Sequence, residues 1–126
     1  MLTRLVLCLA ALVPLSALAP LPALAEEFQP VTAEAAFLAL VEGRQLRIGL
    51  LGLGLQIGSG GQITGRAAGQ DITGTWVWQD GFFCREMAWG SNAIPYDCQL
   101  VEVKGSNEIR FTVDRGVGDD ATFVIR

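Results

Sequence analysis

After position 43, glycine-rich turns divide the chain into short β-rich runs, and this spacing constrains the fold more than any other feature of the sequence. Turn signals at 59–61, 80–81, 105–107 and 116–120 lie between these runs. We therefore predict strands at 45–50, 53–57, 62–66, 72–79, 82–89, 99–103, 109–113 and 122–125. Evenly spaced short strands with tight turns predict a mainly β fold, either an antiparallel meander or a small β-barrel of about seven to eight strands.

One α-helix is predicted before the strands, at 33–41. Thr32 is a favourable N-cap, and Gly43 suits the left-handed position after the last turn. The apolar residues of this segment recur at helical spacing, at Ala36, Phe37, Leu40 and Val41. Such a stripe is expected to pack against the sheet.

Residues 1–25 have the pattern of a secretory signal peptide, with Arg4, an apolar run at 5–13 and a cleavage box at 23–25. An uncleaved anchor is disfavoured because prolines interrupt the apolar segment. Leu7 precedes Cys8 where a lipobox has a small residue, so we do not expect acylation. We expect residues 26–126 to form a single small β-rich domain that is periplasmic or secreted.

The charge balance of the expected mature chain argues against polyanionic partners. Without residues 1–25 the chain keeps eight basic and 13 acidic residues, a net charge of −5. Such a surface repels nucleic acid and anionic lipid, so we expect neither nucleic-acid binding nor membrane association after signal cleavage. A monomer is expected, or a weak dimer formed through exposed strands within 50–57.

Two cysteines, Cys84 and Cys98, remain after removal of the signal segment. A pair of cysteines in an exported chain is typical of a disulfide that forms in an oxidising compartment. A redox-active pair is the alternative, but such thiols usually lie close together as C-x-x-C. We therefore predict a structural disulfide.

The stretch TGTWVWQDGFFC predicts a β-hairpin with a two-residue Asp-Gly turn at 80–81. This register places Trp78 opposite Phe83, Trp76 opposite Arg85 and Val77 opposite Cys84. Because side chains alternate between the faces of a strand, one face then carries Trp76, Trp78, Phe83, Arg85, Met87 and Trp89.

This aromatic face has two interpretations. It is either the core of a small domain, which the sequence favours, or a half-exposed platform at the mouth of a cavity. In the second case Trp76, Arg85, Trp89 and Tyr96 are the candidate ligand-binding residues. Arg85 would then stack on Trp76 or face an anion, and the partner would be a small apolar or anionic ligand, or an envelope protein.

The chain contains no histidine, which removes the commonest general base and the imidazole metal ligands. No catalytic residue stands out, so we favour a non-catalytic binding or envelope-accessory module over a small enzyme that uses carboxylates only. The glycines of 52–58 imitate a dinucleotide fingerprint, but a turn and a strand follow, so no cofactor is expected. Asp114, Asp119 and Asp120 are a weak calcium candidate, and a solvated loop is favoured over a metal site.

Several elements occur in order along this chain: W-x-W-x-D-G, F-C-R, P-Y-D-C-Q and F-T-x-D-R-G. With the leader segment, they resemble a group of short exported bacterial proteins of unknown function, often labelled dihydrodipicolinate reductase. That label implies NAD(P)H-dependent lysine biosynthesis, which requires a Rossmann domain and a substrate domain. This chain is about half the length that such an enzyme needs, so reductase activity ranks last among the alternatives.

Overall fold

The computed structural model describes residues 10–19 and 27–126. Most of the predicted signal segment, including Cys8 and the cleavage box at 23–25, lies outside the described residues. Residues 10–19 form neither helix nor strand, and their side chains are exposed. Within these two described ranges, no helix has the length and apolarity needed to cross a membrane.

One α-helix and nine strands build the described domain. In chain order they are β1 (Gln29–Val31), α1 (Glu34–Val41), β2 (Leu46–Ile48), β3 (Leu53–Ile57), β4 (Gln62–Ala67), β5 (Gln70–Gln79), β6 (Phe82–Trp89), β7 (Asn92–Lys104), β8 (Glu108–Thr112) and β9 (Asp120–Ile125). A 3₁₀ turn (Gly49–Leu51) joins β2 to β3, and a helical turn (Val113–Gly116) follows β8.

Strands β2 to β9 close into an eight-stranded antiparallel barrel. Each strand pairs with the next along the chain, and β9 returns to pair with β2 through Leu46 and Ile125. The mainly β prediction is confirmed, and the barrel rather than the open meander is the fold. An even number of strands allows this closure, because the first and last strands then meet antiparallel.

The register of the β5–β6 hairpin is the one that the sequence predicts. Trp78 lies opposite Phe83, Trp76 opposite Arg85, and Val77 opposite Cys84. The turn residues Asp80 and Gly81 have φ angles of 54° and 83°, and a two-residue type I′ hairpin loop requires positive φ at both positions.

The predicted disulfide between Cys84 and Cys98 is present. The two residues are direct partners on β6 and β7, with their Cα atoms 3.9 Å apart. The bond therefore joins two strands that are already neighbours in the barrel wall. It lies on the opposite strand face from the interior residues Phe83 and Arg85, although Cys84 is only 1% exposed.

Strand β7 is longer than the predicted strand at 99–103, because it begins at Asn92. Pro95 lies within this longer strand, although proline cannot donate a hydrogen bond between strands. The structure accommodates it at an irregularity, where the pairing shifts between Arg85 and Met87 and β7 has one extra residue. A bulge of this kind leaves residues unpaired and so tolerates proline.

The other strand predictions differ from the structure mainly at their ends. Strand β1 was not predicted; it pairs with β7 at 101–103, beyond the residues that pair with β6. The predicted strand at 45–50 stops at Ile48, because the chain enters the 3₁₀ turn. Val113, the predicted end of another strand, instead begins a helical turn.

Helix α1 covers one end of the barrel and contributes Phe37 and Val41 to the core. The predicted cap was wrong, since Ala33 rather than Thr32 occupies the N-cap and no side chain caps the helix. Ala36, expected on the buried stripe, is exposed. The helix is therefore held by the packing of a few large side chains rather than by its local capping signals.

Candidate functional site

The barrel contains an interior cavity of about 300 Å³. Its walls come mainly from the inward-facing residues of β3, β4, β6, β8 and β9. They are largely apolar: Leu55, Ile57, Ile63, Phe83, Met87, Phe111, Val113, Ala121 and Phe123. Four polar residues complete the lining, namely Arg85, Gln99, Asp119 and Asp120.

The cavity and helix α1 occupy opposite ends of the barrel interior, here called the cavity end and the helix end. Phe83 and Phe111 form the boundary, because both line the cavity and both contact the Phe37 ring, with centroid distances of 5.2 and 6.3 Å. Asp119 and Asp120 are exposed and mark the mouth. A molecule in the cavity would thus rest on aromatic rings and leave past two carboxylates.

Among the described residues that line the cavity, Arg85 is the only cation, and it is 6% exposed. It lies on the inner face of β6, opposite Trp76 on one side and Asp97 on the other. Its Nη1 donates a hydrogen bond to the Pro95 carbonyl oxygen at 2.7 Å. Its Nε is buried and has no hydrogen-bond partner in the described part of the chain.

Burial lowers the pKa of the Arg85 guanidinium, and attraction to Asp97 partly offsets this effect. Asp97 does not form an ion pair with it, since the ion pairs found within 10–19 and 27–126 join other residues. The Asp97 carboxylate instead accepts a hydrogen bond from the Asp114 N–H, with oxygens at 3.1 and 3.2 Å. Arg85 is therefore a buried charge without a directly bonded counter-ion among the described residues.

Gln99 is the second buried polar residue of the cavity. It lies on β7, directly opposite Phe83. Its side-chain amide can both donate and accept a hydrogen bond, whereas Arg85 can only donate. The cavity therefore presents an apolar surface with one fixed positive charge and one adaptable amide.

The structure does not bring together the four residues that the sequence suggested for ligand binding. Trp76 is buried in the core, where its Nε1 donates to the Gly58 carbonyl at 2.8 Å. Trp89, at the end of β6, is half-buried and donates to the Ala67 carbonyl at 2.8 Å. Tyr96 is 57% exposed on the outer surface, with its hydroxyl 3.4 Å from Cys98 Sγ. Of the four, only Arg85 lines the cavity.

The loop that carried the calcium candidate borders the cavity mouth. Asp119 and Asp120 lie at the rim, whereas the backbone of Asp114 is engaged with Asp97. No group of three or more acidic, cysteine or histidine side chains that could hold a metal ion occurs in residues 10–19 and 27–126. The three aspartates therefore do not form one site: Asp119 and Asp120 lie at the cavity mouth, and the backbone of Asp114 contacts Asp97.

Sequence reasoning did not single out Leu55, Gln99, Phe111, Ala121 or Phe123 as site residues. Each lies at an inward position of its strand, so alternation along the strand is the signal that could have found them. Alternation shows which residues face inward, but it does not show which inward residues leave a space between them.

The glycine-rich segment at 52–58 forms strand β3 and the start of the β3–β4 turn, rather than a strand-to-helix turn. It therefore lacks the helix N-terminus that a dinucleotide fingerprint uses to hold a pyrophosphate. Neither protein-family profiles nor curated proteins nor solved structures match this chain.

Proposed function

We propose that this protein is a small binding domain that holds one mainly apolar molecule in the barrel cavity. The observation that carries the proposal is the cavity of about 300 Å³ with apolar walls and a buried cation. Eight strands give a barrel interior that is either filled by side chains or wide enough for one small ligand. Here the helix end is filled and the cavity end is hollow.

The chemistry of the lining suits binding better than catalysis. Small-molecule sites are mostly apolar with a few polar groups that fix the orientation of the ligand. Arg85 and Gln99 are such groups, and Asp119 and Asp120 are exposed at the rim. The cavity volume is at the small end of the range for ligand pockets, about 300–1,000 Å³, so the expected occupant is small.

The domain is further proposed to act outside the cytoplasm, as a periplasmic or secreted protein. The signal-like pattern of residues 1–25 and the Cys84–Cys98 disulfide both support this location.

Titration with the neutral fluorescent probe N-phenyl-1-naphthylamine tests the binding proposal. We expect a saturable rise in fluorescence with the disulfide-bonded protein. Ala121→Phe places a ring at the cavity mouth and should weaken binding by about tenfold, the loss expected when about 1.4 kcal/mol of contact is removed. Val124→Phe, on the outer face of the same strand, is the matched control and should bind as the wild type does.

Two results would overturn the proposal. One is the absence of saturable binding by folded wild-type protein. The other is equal weakening by Ala121→Phe and Val124→Phe, since that would locate the probe on the surface rather than in the cavity.

A further inference from the structure

Resting on the proposed binding function, we infer that the natural ligand is an amphipathic monocarboxylate whose carboxylate is bound by Arg85. Such a ligand has an apolar body that fits the cavity and a single negative charge. The buried guanidinium lacks a bonded anion among the described residues, and the ligand would supply one.

A guanidinium carries five N–H donors and stays protonated in proteins. In the described part of the chain only Nη1 of Arg85 donates a hydrogen bond, to the Pro95 carbonyl, and the buried Nε has no partner. Removing a charged group from water without pairing it is costly, and an unpaired charge is therefore rare inside a protein. A bound anion would offset this cost.

The acidic residues within the described part of the chain do not pair with Arg85. Asp97 is the strand partner of Arg85, but its carboxylate is hydrogen-bonded to the Asp114 N–H. Asp119 and Asp120 lie at the solvent-exposed mouth. The cation that lines the cavity is therefore left for a group that enters from outside.

The other residues that line the cavity narrow the chemical class of the anion. Leu55, Ile57, Ile63, Phe111 and Phe123 surround the cavity with apolar surface, which an inorganic anion could not use. The rim carboxylates and the net charge of −4 disfavour ligands with several negative charges. A planar carboxylate suits a guanidinium better than a point anion does, because the two can form paired hydrogen bonds.

Competition against N-phenyl-1-naphthylamine with three matched ligands tests the inference. Decanoate, decanol and decyltrimethylammonium share one chain and differ in the charge of the head group. For the wild type we expect decanoate to bind about tenfold or more tighter than decanol, because its carboxylate forms hydrogen bonds to a charged group. Decyltrimethylammonium should compete least.

Arg85→Met removes the charge while keeping a long apolar side chain. We expect this variant to lose the preference for decanoate over decanol. Arg47→Met, at an exposed position on β2, is the matched control and should keep the preference.

A second measurement does not depend on any variant. In a ¹³C NMR titration of carboxyl-labelled decanoate bound to the wild-type protein, the pKa of the bound acid should lie below that of the free acid, because the guanidinium stabilises the carboxylate. A bound pKa at or above the free value would overturn the inference.

The outcomes separate the two proposals. Equal competition by decanoate and decanol, or an unchanged preference in Arg85→Met, overturns the monocarboxylate while the binding cavity stands. Failure of the folded protein to bind the neutral probe or any of the three ligands overturns the binding function itself.

Discussion

The two ends of one barrel are built from the same strands but differ in what occupies the interior. At the helix end, Phe37 is fully buried and contacts the rings of Trp76, Trp78 and Phe83, with centroid distances of 5.1–5.6 Å. At the cavity end, Arg85 and Gln99 face a space of about 300 Å³. Eight strands therefore enclose more volume than their own side chains fill, and helix α1 adds one ring, that of Phe37, at one end only.

The largest expected effect comes from removing the ring that fills the helix end. Phe37→Ala should lower the free energy of unfolding by about 3–5 kcal/mol, since the variant loses buried ring surface and leaves a cavity. Urea denaturation followed by tryptophan fluorescence measures the change. Leu50→Ala is the control, because Leu50 is 98% exposed, and it should stay within about 0.5 kcal/mol of the wild type. A loss below about 1 kcal/mol for Phe37→Ala would break the contrast between the two ends.

The second-largest expected effect comes from removing the disulfide that joins β6 and β7 in the barrel wall. Replacing both Cys84 and Cys98 with alanine should lower stability by about 3 kcal/mol, because the bond closes a loop with a sequence separation of 14 residues. Urea denaturation of the double variant, compared with the oxidised wild type, gives the value. Equal stability of the two proteins would show that the strand pairing alone holds this wall.

The third expected effect comes from the close approach of β5 and β6 at Gly74. A side chain on Gly74 of β5 would collide with the Glu86 carbonyl oxygen and approach Met87 Cγ to 2.8 Å. Gly74→Ala should therefore cost about 1–3 kcal/mol, the usual range for overpacking. Gly54→Ala is the matched control in β3, since nothing lies within 4 Å of the added carbon. The close approach would be refuted if both variants unfolded at the same urea concentration.

The smallest expected effect has the opposite sign and bears directly on the cavity end. Arg85→Met should leave stability unchanged or raise it by about 1 kcal/mol, because replacing a buried charge with an apolar group is often neutral or stabilising. Arg110→Met should instead lower stability by about 0.5–1 kcal/mol, since Arg110 pairs with Glu102 at 3.0 Å and stacks 4.0 Å from the Phe28 ring centroid. Urea denaturation of both variants measures the contrast. A loss above about 2 kcal/mol for Arg85→Met would show that Arg85 serves the fold rather than a ligand.

Much of the local structure could be predicted from the sequence. The Asp80-Gly81 pair specified the hairpin turn, and alternation along β5 and β6 then specified which residues are opposite each other. The disulfide between Cys84 and Cys98 followed from cysteine counting and agrees with that register. These predictions succeeded because turn geometry and strand periodicity are short-range properties.

The candidate site was only partly predictable. Arg85 was singled out because a charge among aromatic residues requires a partner, and of the four candidates it is the one that lines the cavity. Trp89 and Tyr96 were grouped with it by composition, yet Tyr96 lies two residues from Cys98, on the same outer face of β7, and is 57% exposed. The predicted strand began at 99, whereas β7 begins at Asn92, so strand alternation was not applied to Tyr96.

The mainly β fold and the hairpin register could be predicted from short segments of the chain, and the disulfide from the number of cysteines left after the signal segment. Closure of the sheet depends on a long-range contact, since β2 must meet β9 from opposite ends of the domain. The position of the cavity is likewise a property of the folded barrel. An internal space depends on the summed volumes of side chains from many strands and on which end the helix covers, and no single segment of the sequence carries that information.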